Sequence, residues 1–194
     1  MKNSLPPFLQ RESTRAALAE FIGTFFLTLA ALLSGTPYAV GLTLAASVYA
    51  IGDVSGSHVN PAVTIGLLVN RSIEFSRAAL YIIAQIVGAI MARAVGGLVG
   101  DLAPDYQAAG GFAEFFGFGI LMLTVLSVYE KNVPKAGSGV AIGAGLAAGL
   151  LTTKGILNPA VAIAMSEGIS PATWATVLSG ILFTILFKVL SGKD

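Results

Sequence analysis

The sequence contains no cysteine, a single histidine and few charged residues. Charged side chains make up 11% of its 194 residues, whereas about 25% is usual in soluble domains. The absence of cysteine excludes disulfide scaffolds and thiolate metal sites, and His58 alone cannot form a histidine metal site. A net charge of +1 without a basic block argues against nucleic-acid binding. No nucleophile–base pair stands out either, so we predict no enzyme activity, no metal and no cofactor.

Long apolar runs dominate the sequence instead, and hydrophobic residues make up 55% of it. A membrane-spanning helix needs about 20 mostly apolar residues, and six runs approach or reach that length: 16–34, 39–52, 78–100, 112–129, 137–153 and 171–190. Two further apolar stretches, 61–69 and 159–166, start at a proline and are too short to cross a bilayer. Such segments are tolerated inside a membrane where protein or a watery cavity satisfies their backbone. We therefore predict an all-α membrane protein with six transmembrane helices and two half-helices in a lipid bilayer.

The two halves of the chain repeat each other. AEFIG at 19–23 returns as AEFFG at 113–117, and NPAV at 60–63 returns at 158–161. This pattern divides a single domain, 1–194, into one repeat over 16–100 and a second over 112–190. Each repeat has three spans, an odd number, so the second must insert with the opposite orientation, giving an inverted repeat.

Lysine and arginine residues predict the orientation in the membrane. They fall in alternate connections: Lys2, Arg11, Arg15, Arg71, Arg77, Lys131, Lys135, Lys188 and Lys193. The opposite connections carry Lys154 and the acidic pair Asp101 and Asp105. Because positive loops stay in the cytoplasm, we predict a multi-pass protein of the cell membrane with both termini cytoplasmic.

Each Asn-Pro-Ala tripeptide has the composition of a helix start. Asparagine is a preferred N-cap and proline suits the first helical position, so Asn60-Pro61-Ala62 and Asn158-Pro159-Ala160 should each begin a half-helix. Inverted symmetry would bring both starts to the midplane. There the partial positive charge of helix N-termini would repel cations, and the asparagine NH2 groups would face the lumen as donors.

These motifs resemble the aquaporin and glycerol-facilitator family, also called the major intrinsic proteins. The stretch SGSHVNPAVT at 55–64 is the most specific part, and the resemblance extends from residue 19 to the last span. It implies a fold of six tilted helices and two half-helices, one pore per subunit and a homotetramer.

One position departs from the family pattern, in which an arginine follows the second Asn-Pro-Ala. Here that residue is Val161. Carried over by position, the outer filter consists of Val40, Leu150 (or Gly149), Gly155 and Val161, which makes it apolar and uncharged. Arg93 and Lys154 are alternative sources of the missing positive charge.

Four further polar residues have two interpretations each. Glu20 and Glu114 lie in equivalent spans and could carry protons, but the resemblance implies that they brace the loops before the half-helices. For His58, the alternatives are pH sensing and the same bracing role. Asp53 either caps the end of a helix or makes the cytoplasmic vestibule anionic.

The function predicted from these features is a passive channel for water, with small neutral solutes such as glycerol, ammonia or hydrogen peroxide as further candidates. A secondary transporter on the same inverted repeat is an alternative, although neither half-helix start carries an acidic residue. An ion-leaky channel is a second alternative, because Val161 removes one barrier to cations.

Overall fold

A computed structural model of the chain describes residues 11–102, 110–165 and 169–192. Every regular element in these ranges is helical: α1 Arg11–Ser34, α2 Pro37–Ser55, α3 Pro61–Val69, α4 Phe75–Val99, α5 Gly111–Tyr129, α6 Ser138–Thr153, α7 Pro159–Ala164 and α8 Pro171–Ser191. A 3-10 turn over Lys135–Gly137 leads into α6. The all-α prediction is confirmed for these ranges.

Six of the helices are long and apolar enough to cross a membrane, namely α1, α2, α4, α5, α8, and α6 together with the turn before it. The other two, α3 and α7, have nine and six residues. At about 1.5 Å per residue they cover less than half of the ~30 Å apolar core of a bilayer. The predicted arrangement of six spans and two half-helices is therefore confirmed.

Several helix ends differ from the predicted bounds, because the prediction counted apolar residues and the helices continue through polar ones. Helix α1 begins at 11 rather than 16, and α4 at 75 rather than 78. Helix α2 covers 37–55 rather than 39–52, since Thr36 caps its start and Gly56, with φ 93°, ends it in the left-handed region.

The second half-helix ends at Ala164 rather than 166. Residue 166 lies outside the described ranges, as do three charged residues used for the predicted orientation, Lys2, Asp105 and Lys193.

The helices pack in corresponding pairs in the two halves. Helix α1 packs on α4 and α2, α5 packs on α8 and α6, and α2 packs on α6 across the halves. Each half-helix lies against the last span of the other half, α3 on α8 and α7 on α4, and the two half-helices touch each other. The two half-helices therefore lie between helices from both halves of the chain.

Two ion pairs show which helix ends share a face of the molecule. Arg77 at the start of α4 lies 3.8 Å from Glu12 in the first turn of α1. Lys135 before α6 lies 2.8 Å from Asp53 near the end of α2. We call this face the inner face, and the opposite one the outer face.

Helix crossings depend on glycines that bring backbones into direct contact. A Cβ atom on Gly41 of α2 would lie 2.6 Å from the carbonyl oxygen of Gly143 in α6. A Cβ atom on Gly149 of α6 would lie 2.5 Å from the carbonyl oxygen of Gly117 in α5. Small residues at such crossings are typical of helix packing in membranes, and here they hold α6 close to the centre of the bundle.

Candidate pore

Each asparagine of the two Asn-Pro-Ala motifs caps its own half-helix. The side-chain oxygen of Asn60 accepts a hydrogen bond from the backbone N–H of Ala62 at 2.9 Å. The side-chain oxygen of Asn158 accepts from Ala160 at 3.0 Å and from Val161 at 3.5 Å. A proline follows each asparagine at the first helical position. Both half-helices therefore start where local sequence chemistry favours a start.

The amide nitrogens of the same two asparagines tie the halves of the chain together. Asn60 Nδ2 donates to the carbonyl oxygen of Leu157 at 2.8 Å, and Asn158 Nδ2 donates to the carbonyl oxygen of Val59 at 3.0 Å. The sequence predicts that both NH2 groups face the lumen as donors, and the crossing bonds are partners that this prediction did not include. One N–H of each group crosses to the opposite loop, and one remains for other partners.

The two loops adopt an unusual backbone conformation beside these crossing bonds. Val59 has φ 43° and Leu157 has φ 58°, and a left-handed conformation is unfavourable for a β-branched residue such as Val59. Such backbone conformations are maintained only where contacts with the surrounding structure stabilise them. The conformation turns the carbonyls of Val59 and Leu157 towards the asparagine of the other half.

Glu20 supplies the bonds that hold the first loop. Its carboxylate is buried and accepts hydrogen bonds from the backbone N–H groups of His58 at 2.9 Å and Val59 at 2.6 Å. It also accepts from Ser55 Oγ at 2.6 Å and Gln85 Nε2 at 2.8 Å. All four donors are neutral, so this buried charge is stabilised by hydrogen bonds.

Glu114 has the corresponding place in the second half. Its carboxylate accepts from the backbone N–H groups of Ile156 and Leu157, the latter at 2.8 Å, and from Thr176 Oγ1 at 3.0 Å. Glu20 and Glu114 thus each accept hydrogen bonds from the backbone N–H groups of the two residues directly before the asparagine of an Asn-Pro-Ala motif.

His58 has both ring nitrogens engaged. Nδ1 lies 3.2 Å from Thr64 Oγ1 in α3, and Nε2 lies 2.9 Å from the hydroxyl of Tyr129 in α5. The ring therefore connects the first loop to two helices, and Tyr129 is a partner that the sequence analysis did not identify.

Sequence reasoning also missed Gln85, Tyr81 and Thr176. Tyr81 donates to the carbonyl of Ser55 at 2.9 Å, and Gln85 donates to Thr64 as well as to Glu20. A signal was present for Gln85, because an amide side chain in the middle of a long apolar run requires a buried partner.

The four residues proposed for the outer filter line one cavity of about 40 Å³ on the outer side of the asparagines. Asn158 also lines it, and the remaining wall is mostly apolar: Leu27, Ala31, Gly35, Thr36, Pro37, Leu146, Ile156 and Met165. The sequence left Leu150 and Gly149 as alternatives for one filter position. Leu150 lines the cavity, whereas Gly149 packs against Gly117 of α5.

Neither candidate replacement for the missing arginine lies at this cavity. Arg93 is exposed on α4 and Lys154 is exposed directly after α6, and the cavity wall includes neither residue. Among the described residues, the outer cavity therefore has no charged side chain in its wall.

On the inner side, the path continues through two more cavities. A small one of about 20 Å³ is lined by the first loop, residues 56–60, and by α5 and α6. A wide vestibule of about 650 Å³ opens beyond it at the inner face. The outer and small cavities share Leu27 and Leu146, so the three cavities follow one another through the bundle.

Asp53 lines the vestibule, two residues before the end of α2. Its carboxylate is paired with Lys135, whose Nζ atom lies 2.8 and 2.9 Å from the two carboxylate oxygens. Both side chains are more than 80% exposed, so the pair contributes little to stability. A neighbouring cation thus offsets the negative charge of Asp53.

Comparisons with known proteins agree with this geometry. The sequence profile of the major intrinsic proteins matches residues 8–166. The chain is 35% identical to aquaporin AqpM of Methanothermobacter thermautotrophicus, over 76% of this chain and 80% of that protein. It is 30% identical to aquaporin Z of Rhodopseudomonas palustris, over 92% and 94%, and 34% identical to glycerol uptake facilitator protein-like 6 of Lactiplantibacillus plantarum, over 93% and 100%.

A solved structure supports the fold. The chain superposes on the aquaglyceroporin of Plasmodium falciparum with a TM-score of 0.69 at 21% identity, covering 93% of this chain and 96% of the other. The resemblance drawn from the motifs is confirmed, and the chain belongs to the major intrinsic protein family.

Proposed function

We propose that the chain is a passive channel for water, and that the pore runs through the outer cavity, past the two asparagines and through the small cavity to the vestibule. One observation carries this proposal. The starts of two half-helices from opposite halves of the chain, joined by the crossing bonds of Asn60 and Asn158, lie beside successive cavities in one bundle.

The chemistry of this path favours neutral molecules. A water molecule can accept from the remaining N–H of each asparagine and donate to loop carbonyls. A cation would have to give up hydration in an outer cavity that offers mainly apolar walls, and it would then meet the positive end of α3. Small neutral solutes such as glycerol, ammonia or hydrogen peroxide are further candidates, consistent with relatives that are named as aquaporins and as a glycerol facilitator.

The two alternatives receive less support. A secondary transporter needs a titratable or ion-binding group on the path, yet Glu20 is bound by backbone, hydroxyl and amide donors behind the first loop. An ion-leaky channel keeps some support from Val161, because no arginine guards the outer cavity. The apolar wall works against that alternative.

Several wider features belong to the same proposal. The chain acts as one channel domain over 1–194, with inverted repeats over 16–100 and 112–190, and has no enzyme activity. It assembles as a homotetramer, as the family resemblance implies. It resides in the cell membrane with both termini and the inner face in the cytoplasm, as the distribution of lysine and arginine predicts.

The direct test is osmotic water flow in liposomes that contain the purified protein. Under a sucrose gradient, these vesicles should shrink faster than empty ones. Val161→Trp should abolish the acceleration, because the indole would fill a cavity of about 40 Å³. Val189→Trp is the matched control, since Val189 is 72% exposed on α8 and should leave the shrinkage fast.

Shrinkage no faster than in empty vesicles, with insertion verified, would contradict the channel. Equal flow through both tryptophan variants would contradict the assigned path. A glycerol gradient applied to the same vesicles then separates water-only conduction from solute conduction, because vesicles that admit glycerol swell again.

A further inference from the structure

The junction between the small cavity and the vestibule is the place where the proposed pore narrows most on its inner side. Three residues line both spaces: Gly56, Tyr129 and Ile142. The volume falls there from about 650 Å³ to about 20 Å³. A cavity needs about 10–15 Å³ to hold one water, so the space behind the junction accommodates about a single water molecule.

Tyr129 is held firmly at this junction. Its hydroxyl lies 2.9 Å from His58 Nε2, and its ring meets the histidine ring edge-on with centroids 6.1 Å apart. A Cβ atom on Gly56 would lie 2.6 Å from the same hydroxyl oxygen. The phenol therefore contacts the turn at the end of α2, and a larger residue at 56 would collide with it.

The hydrogen bonds around His58 indicate which way the Tyr129 hydroxyl points. Thr64 Oγ1 accepts from Gln85 Nε2 at 3.0 Å and donates its proton to the carbonyl of Asn60 at 3.1 Å. The remaining contact, from His58 Nδ1, must then be a donation to Thr64. His58 Nε2 is left as an acceptor, so Tyr129 donates to it and its oxygen lone pairs stay available.

We propose that Tyr129, positioned by His58, is the residue that selects solutes by size at the inner mouth of the pore. The substrate class it admits is water-sized hydrogen-bond donors, which fit the small cavity and can donate to the tyrosine oxygen. Of the candidate solutes named above, glycerol is therefore the one that this inference removes, because it is rejected at this junction rather than at the apolar outer cavity. This inference rests on the proposed channel function.

Five proteins in liposomes test the inference, the unmodified protein and its Tyr129→Ala, Tyr129→Phe, Val161→Ala and Tyr38→Ala variants, with water and glycerol permeability measured for each. Tyr129→Ala should raise the ratio of glycerol to water permeability about tenfold, the effect of a barrier to glycerol lowered by about 1.4 kcal/mol relative to that for water. Tyr129→Phe keeps the ring and should continue to exclude glycerol. Tyr38→Ala is the control, because Tyr38 is 64% exposed and is not among the residues that line the three cavities.

The outcomes separate this inference from the channel function. If neither the unmodified protein nor Tyr129→Ala conducts water above empty vesicles, both proposals fail. If the unmodified protein conducts water and Tyr129→Ala adds no glycerol flux, only the inference fails. It also fails if Tyr129→Phe admits glycerol as readily as Tyr129→Ala, or if Val161→Ala admits glycerol and Tyr129→Ala does not.

Discussion

At the scale of single residues, two buried carboxylates bind the loops that lead into the half-helices. Glu20 is fully buried in α1, and its oxygens satisfy two backbone N–H groups of a loop that contains the left-handed Val59. The loop could not hold that conformation without such partners, because buried unpaired amides are costly. These contacts favour a structural role for this membrane-embedded carboxylate, which its position in the sequence alone does not reveal.

We expect Glu20→Gln to lower the free energy of unfolding by about 2–3 kcal/mol. Hydrogen bonds to a charged group contribute about 1.5–3 kcal/mol, and the new amide would also present N–H donors to a cluster of donors. Thermal unfolding in detergent measures the loss. Glu12→Gln is the control, because Glu12 is mostly exposed and lies 3.8 Å from its partner Arg77. Equal stability of the two variants would contradict the bracing role.

At the scale of elements, the position of the pore depends on how closely α2 and α6 cross. The crossing is made by Gly41 and Gly143, and the neighbouring Val40 lines the outer cavity. Leu146 and Leu150 of α6 line the same cavity. These two helices therefore form neighbouring parts of the outer cavity wall, and their spacing affects the shape of that cavity.

Gly41→Ala should destabilise the protein by about 1–3 kcal/mol, the usual cost of overpacking, because the added Cβ atom would lie 2.6 Å from the carbonyl oxygen of Gly143. Gly97→Ala in α4 is the matched control. Nothing lies within 4 Å of a Cβ atom there, so it should stabilise the helix by about 0.5–1 kcal/mol. Thermal unfolding of the two variants checks whether Gly41→Ala lowers the stability and Gly97→Ala raises it. A Gly41→Ala variant as stable as Gly97→Ala would rule out the close crossing.

At the scale of the whole molecule, the continuous series of cavities distinguishes passive conduction from coupled transport. The outer cavity, the small cavity and the vestibule share wall residues in sequence. Neither Glu20 nor Glu114 is among the residues that line these three cavities, and both carboxylates accept hydrogen bonds from loop amides. A coupled transporter would need one of these groups to exchange protons with the path.

Solute flow should therefore be independent of a proton gradient. Water and glycerol permeability of protein-containing vesicles, measured by light scattering with equal pH inside and outside and again with a pH gradient, should be the same. A folded Glu20→Gln or Glu114→Gln variant that loses a gradient-driven flux present in the unmodified protein would instead establish the transporter.

The sequence by itself determined the number and type of the elements. Apolar runs of about 20 residues favour helices that span a bilayer, and Asn-Pro favours a helix start through local capping chemistry. The six spans, the two half-helices and the family followed from these features. The four positions carried over to the outer filter were found in the wall of one cavity. Their role in selectivity stays a prediction.

Only the tertiary structure decided what those elements bring together. Asn60 bonds to Leu157 and His58 to Tyr129, partners that are 97 and 71 residues apart. Local sequence does not encode such distances, since they depend on how closely helices cross at Gly41 and Gly143. For the same reason the narrowing at Tyr129 could not be predicted. It arises where the end of α5 contacts the turn after α2. That contact depends on the close packing of helices that are far apart in sequence.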